Sequence, residues 1–280
     1  MTRILVTGIA VMDYVHRVEM LPEGGAKHRS TAFARIGGGC AANAAVGAAR
    51  LGGEVTLMTR LGTDATGDEL ADLLTSSGVT PAFARGGATP LSSVMVDRLG
   101  ERMIINFPGA DLPTDPPPVP AFDAALADCR WPEAADVTLR AAQSAGTPAV
   151  LDGEKYTPEP LAALATHVVF SAPGLRDFTG EDHLPTALVQ AAKRLPGLVA
   201  YTDGPDGVHW SNGLHVPTPQ ITPVDTLGAG DLWHGAFTLA LGRGDTLETA
   251  SRFANAAAAL KCTRPGGWDA YPTLSELETT

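Results

Sequence analysis

The sequence predicts an α/β fold, a mostly parallel sheet covered by helices. Two observations point there: short β-branched apolar runs alternate with segments of helical period, and glycine punctuates the junctions. A third is composition, since 280 residues with 44% hydrophobic and 18% charged content supply a sizeable core. RILVTG (3–8) reads as a buried strand ending in glycine. CAANAAVGAARLG (40–52) combines strong helix formers with a glycine stop, and EVTLMTRLG (54–62) returns as a strand. TGDELADLLTSSG (66–78) carries apolar residues at helical spacing, acids early and glycine last, before VTPAFAR (79–85) reads as strand. The alternation resumes with strands at 147–153, 167–173 and 197–204, each followed by a helical or turn-rich segment.

Two stretches break this rhythm. SSVMVDRLGERMIINF (92–107) has two β-rich arms around RLGE and reads as a hairpin. Residues 10–36 lack a helical period and contain the turn signal PEGG. Both read as β insertions, about 10–36 and 88–107, that form a lid over the strand ends. PTDPPPVP (113–120) is too rich in proline for ladder or helix pairing and reads as a surface connection. The expectation is one domain over 1–280 with a β appendage.

Charge and cysteine content exclude several classes. A net charge of −11 argues against a general nucleic-acid or anionic-membrane binder, while leaving room for a small anionic ligand held by backbone amides and a local cation. No run of about 18 apolar residues suggests a membrane span. The opening MTRILVTGIAV lacks a signal-peptide cleavage pattern, so a cytoplasmic protein is expected. Cys40, Cys129 and Cys262 show neither zinc nor disulfide spacing, and seven histidines show no metal-ligand spacing.

The chemistry concentrates in VDTLGAGD (224–231), which leads into the apolar LWHGAFTLALG. If 229–241 is a helix, Gly228, Ala229 and Gly230 form its opening turn, whose amides lack intrahelical partners and suit an anion. Small residues let a phosphate come close. Asp231 then makes sense as a base that takes a hydroxyl proton while the loop holds the transferring phosphoryl group. On spacing alone it serves equally well as a helix cap. His234, one turn on, reads as structural.

D-T-L-G-A-G-D resembles the D-T-x-G-A-G-D signature of ribokinase-like (PfkB-type) carbohydrate kinases, and the likeness runs through nearly the whole chain. GIAVMDYV places Asp13 where that family grips sugar hydroxyls. GGGCAAN resembles its G-G-N-x-x-N, giving Gly38, Gly39 and Asn43, with Cys40 in place of the first asparagine. RLGTDATGDEL resembles a structural G-x-D-x-x-G-x-x-L segment. TDGPDG is similar to the nucleotide-side T-x-G-x-x-G, giving Thr202, Gly204 and Gly207, and ANAAAALKCTRPGG to the adenine-side helix, giving Asn255. The resemblance implies a three-layer αβα sandwich with a small β lid, ATP and Mg2+ as cofactors, and a homodimer through the lid. It makes Asp231 the base, Gly228–Gly230 the anion hole, and Asp225 part of a monovalent-cation site, with K+ as the ion. A helix cap is the alternative reading of Asn43, and a packing residue that of Asn255.

One departure concerns magnesium. The family's mid-chain N-x-x-E falls on Ser171 and Gly174, neither a carboxylate, which leaves Asp152 or Glu154 in LDGE as candidates. Several strings, VMDYVHRVEMLP, GERMIINFP, LADCRW, LDGE, FSAPGL and KCTRPGG, resemble the kinases of 6-deoxy-6-sulfofructose. A fixed sulfonate needs cations and donors at the far end of the sugar pocket. Arg130, Lys27 and Asn106 are the candidates, each with an ordinary surface role as the alternative. Fructose 6-phosphate would satisfy the same cations. A neutral ketose or ribose, a non-catalytic sugar- or nucleotide-binding regulator, and an NAD-dependent oxidoreductase using GGGCAA (37–42) with Glu54 are the competing readings.

Overall fold

The computed structural model describes residues 1–279. The chain begins β1 (Arg3–Thr7), β2 (Val11–Arg17), β3 (Ala32–Gly38), α1 (Cys40–Arg50), β4 (Glu54–Leu61), α2 (Ala65–Ser76), β5 (Val79–Arg85). It continues β6 (Leu91–Val96), β7 (Arg102–Phe107), β8 (Ala124–Ala127), α3 (Pro132–Ala145), β9 (Ala149–Gly153), α4 (Glu159–Ala162), β10 (His167–Ser171) and α5 (Ala172–Thr179). The last part is α6 (Leu184–Arg194), β11 (Leu198–Thr202), β12 (Val208–Trp210), β13 (His215–Val216), α7 (Ala229–Gly242), α8 (Leu247–Cys262) and α9 (Leu274–Glu278).

The main sheet has nine strands in the order β13-β12-β11-β10-β9-β8-β1-β4-β5. From β11 to β5 every pairing is parallel; β12 and β13 add an antiparallel edge. Strands such as β8 (AALA) and β9 (AVLDG) are buried throughout because helices cover both faces. One core packs Ile4, Val6, Leu57 and Val169 against α1, α7 and α8. The other packs Leu5, Leu151 and Phe170 against α3, α5 and α6. This is the three-layer α/β architecture that the alternation and the resemblance anticipate. No helix among the described residues is long and apolar enough to cross a membrane.

The interrupting segments form a second sheet, ordered β3-β2-β6-β7. β2 and β6 lie parallel, with Asp13 opposite Ser92, so segments nearly eighty positions apart are zipped in register. Gly37 and Gly38 end β3, a strand of the second sheet, and Gly39 caps α1, so GGGCAA does not follow the first strand of the main sheet and is not a dinucleotide turn. A Cβ at Gly37 would fall 2.1 Å from the Trp268 ring, and one at Gly38 2.2 Å from the Asp13 carboxylate.

α1 and α7 cross at a seam of small residues. A Cβ at Gly235 would lie 2.2 Å from the Ala44 carbonyl oxygen, and one at Gly47 2.5 Å from Leu232. Glycine here is a distance requirement: it lets two helix backbones approach until Asn43 on one meets Asp231 on the other.

Candidate active site

Asp231 sits in the first turn of α7 and accepts a hydrogen bond from the Asn43 side-chain amide at 2.7 Å. Asn43 is itself held from behind, its oxygen accepting from Trp268 Nε1 at 2.7 Å. Asn43 therefore does not cap α1; it orients the candidate base. Asp231 is half-buried and lines a cavity. Desolvation, reinforced by the charge of Asp152, pushes its carboxyl up to about 7, against the opposing pull of Asn43 and His234. His234 bonds Gly230 and Val169 carbonyl oxygens at 2.9 and 3.1 Å, a structural tie from α7 to β10.

Gly228, at φ 72°, ends the loop before α7. A Cβ there would lie 2.4 Å from the Tyr271 hydroxyl, which donates to its carbonyl oxygen. A side chain at Gly230 would meet nothing within 4 Å, which leaves open space over the opening amides of the helix. That is the room and polarity an anion needs.

Two cavities meet at this turn. The larger, about 570 Å³, is lined by Asp13, Gly39, Asn43, Asn106, Arg130 and Asp231 among others. The smaller, about 350 Å³, is lined by Thr202, Gly204, Gly207, Ala229, Gly230 and Asn255 among others. The structure thus gathers most of the sequence-predicted residues into two adjoining groups with the glycine turn between them. Gly207, at φ 93°, has no room for a side chain because the Val216 oxygen would lie 2.1 Å from its Cβ. Asn255 lines the smaller cavity with its amide already spent: it accepts from Trp233 Nε1 at 2.7 Å and donates to Val216 and Pro217 oxygens.

Three residues stand differently from the expectation. Lys27 is exposed on the loop between β2 and β3 and lines neither cavity. Arg130 lines the larger cavity, but its guanidinium is ion-paired with Glu154, so it does not offer an uncommitted charge. Asp225 lines neither cavity: its carboxylate accepts from the Leu227 and Gly266 amides at 2.9 and 3.2 Å and pairs with Arg102 at 3.2 Å. Its main-chain oxygen accepts from Lys261 Nζ at 2.9 Å. Together these donors hold the Asp225 carboxyl below the usual range despite its burial. They do not fit a monovalent cation beside it, because a cation already stands there.

Sequence reasoning missed several neighbours. Thr59 and Arg60, at the end of β4, line the larger cavity. Thr59 Oγ1 is buried without a partner among the described residues. Arg60 donates to the carbonyl oxygens of Pro113 and Arg130, lies over the Trp131 ring, and has no carboxylate partner among the described residues. Asp128 accepts from the amides of Ile9, Ala41 and Arg130, clamping the turns after β1 and β8 to the start of α1. Burial pushes Asp128 up to about 6.

The magnesium question has a steric answer. Ser171 caps α5 through the Gly174 amide, and a Cβ at Gly174 would fall 2.6 Å from the Gly153 oxygen. A glutamate at 174 would require the backbone at Gly153 to shift. Instead Asp152 and Glu154 bring carboxylates, with Cys40, to within 4.8 Å of one another. Two carboxylates fit a hard divalent cation; the thiol, held protonated by desolvation and surrounding acids, does not add a ligand of that kind. Burial also raises Asp152 well above the usual carboxylate range, with Glu154 and Asp128 adding repulsion.

A family profile described as pfkB family carbohydrate kinase matches residues 1–274. The chain is similar to the ribokinase of Bacillus subtilis, 30% identical over 294 residues covering 99% of each. Among solved structures it resembles an Agrobacterium tumefaciens protein assigned provisionally as a ribokinase, at TM-score 0.93 and 36% identity over 99% and 96% of the two chains. It also resembles Arabidopsis thaliana ribokinase complexed with ribose and ATP, at TM-score 0.86 and 25% identity over 100% and 98%.

Proposed function

The chain belongs to the pfkB family of carbohydrate kinases, and from that premise we propose that it transfers the γ-phosphoryl group of ATP to the C1 hydroxyl of a ketose, 6-deoxy-6-sulfofructose. One observation supports the phosphotransfer above all others: Asp231 opens into the larger cavity while the glycine turn before it walls the smaller one. ATP lies in the smaller cavity, between the Gly204–Gly207 turn and α8, with its γ-phosphate over the opening amides of α7. The sugar lies in the larger cavity, gripped by Asp13 and Asn43. Asp231 takes the proton of the attacking hydroxyl as its oxygen bonds to phosphorus and the bond to ADP breaks. Asp152 and Glu154 would hold Mg2+, which neutralises phosphate charge when bound. The enzyme acts in the cytoplasm.

The substrate assignment rests on the far wall. Arg60, which has no carboxylate partner among the described residues, and Arg130 line the cavity together with Asn106, a set suited to a sulfonate. The pairing of Arg130 with Glu154 favours a second reading, a neutral sugar such as ribose. Sugar-dependent ADP release with sulfofructose, fructose 6-phosphate, fructose and ribose separates them. On the first reading, Arg60→Ala raises KM for sulfofructose by about tenfold to a hundredfold, the worth of one charge-assisted contact, and leaves fructose unchanged. Equal effects on both sugars remove the arginines from anion recognition. No release with any sugar, with ATP still bound, favours a non-catalytic regulator.

The lid exposes Phe33, Ile104 and Ile105, and a second copy of the chain covers them in a homodimer. Light scattering should give twice the chain mass, and Ile105→Lys should shift it toward the monomer. A monomer across the working concentration range removes the dimer.

A further inference from the structure

Lys261 is the one lysine of the described chain that is fully buried, in the last turn of α8. Burying an ammonium is costly unless oxygens replace its water. Its Nζ lies 2.9 Å from the main-chain oxygen of Asp225 and 3.7 Å from a carboxylate oxygen of the same residue. The surrounding contacts all tie the same two loops together. The Val224 and Asp225 amides donate to the Cys262 oxygen at 2.7 and 3.2 Å, and the Gly266 amide donates to Asp225 at 3.2 Å. Asp225 opens the run that ends in Gly228–Asp231, so whatever fixes Asp225 also fixes the anion turn.

We propose that the Lys261 ammonium is a built-in monovalent cation, which orders the 225–231 turn and makes this kinase independent of potassium. The proposal rests on the kinase reading and extends it to the regulation of the same site. The chemistry is one of substitution. An ammonium and a potassium ion both satisfy a carbonyl oxygen and a carboxylate by close electrostatic contact. Here the cation is tethered by four methylenes, so it is present at every salt composition. A second cation would meet the charges of Lys261 and of Arg102, and oxygens already in use. Lys261 is thus a positioning residue: it acts on phosphate through Asp225 and the turn, not by contact.

The test compares wild type and Lys261→Met in potassium, sodium and choline chloride at equal ionic strength, with ADP release and melting temperature as readouts. Wild type should vary by less than about twofold in kcat/KM across the salts, with an unchanged Tm, since its cation is covalent. Lys261→Met should lose about tenfold or more in kcat/KM in choline, melt lower, and recover part of both in potassium, because the emptied position admits a free cation. Potassium that activates or stabilises the wild type severalfold overturns the proposal. So does a Lys261→Met variant that is as active as wild type in choline, or one that potassium leaves unimproved. If the variant does not fold, the wild-type salt series still decides. If no sugar supports ADP release, the kinase reading fails, while the melting series continues to decide on the cation.

Discussion

Asp231→Asn should bind Mg-ATP and sugar nearly as wild type does and lose about a thousandfold in kcat, the upper range for removing a general base. Asparagine keeps the shape and can still meet Asn43, so binding and folding survive while the proton has nowhere to go. Calorimetric binding beside single-turnover rates checks this; a loss within tenfold removes Asp231 as the base. The pH dependence has a definite sign. Burial lifts the carboxyl to about 7, so the base is protonated below that and kcat/KM should fall tenfold per unit toward acid. Stability runs the other way. A carboxyl whose folded value is raised stabilises the fold only while protonated, and that contribution is lost as pH rises through about 7. Asp231→Asn should therefore melt higher than wild type at pH 8, with the gap closing toward pH 5. A variant that melts lower at pH 8 contradicts the assigned burial of charge.

Gly235→Ala should be among the more damaging single methyls in the chain. Alanine ordinarily favours a helix interior over glycine by about 1 kcal/mol. Here the new Cβ would lie 2.2 Å from the Ala44 carbonyl oxygen, backbone that cannot swing aside. α1 and α7 must separate, and overpacking of this kind costs about 1–3 kcal/mol beyond the propensity gain. The same movement pulls Asn43 away from Asp231, so kcat should fall with Tm. Gly230→Ala, at the same helix's open end, has no neighbour to strike and should leave the melting temperature nearly unchanged. A Gly235→Ala protein that melts like wild type would mean the seam is slack.

Much of this was legible in the sequence. Strand runs with glycine stops located the parallel sheet, because buried strands must be uniformly apolar. The residues 225–231 announced a turn of small side chains leading into a helix, and the structure leaves open space at Gly230 over the helix's opening amides. What the sequence could not show is which side chains choose one another. Arg130 reads as a free cation until Glu154 folds against it, and Lys261 reads as a helix-end charge until Asp225 arrives from 36 positions away. Trp268 carries no local signal of holding Asn43, 225 positions distant. Thr59 and Arg60 sat within an apolar strand whose end faces the cavity only because β4 lies beside β1. The block at Gly174 arises from the backbone of a neighbouring strand, which no spacing rule contains.

The ion pair between Arg102 on the lid strand β7 and Asp225 has a consequence for thrift. It joins the second sheet to the loop before α7, so on the proposed kinase reading any displacement of β7 would part a charge pair and free the Asp225 end of the anion turn, and hydrolysis of ATP without an acceptor is the wasteful reaction that an intact pair would hold down.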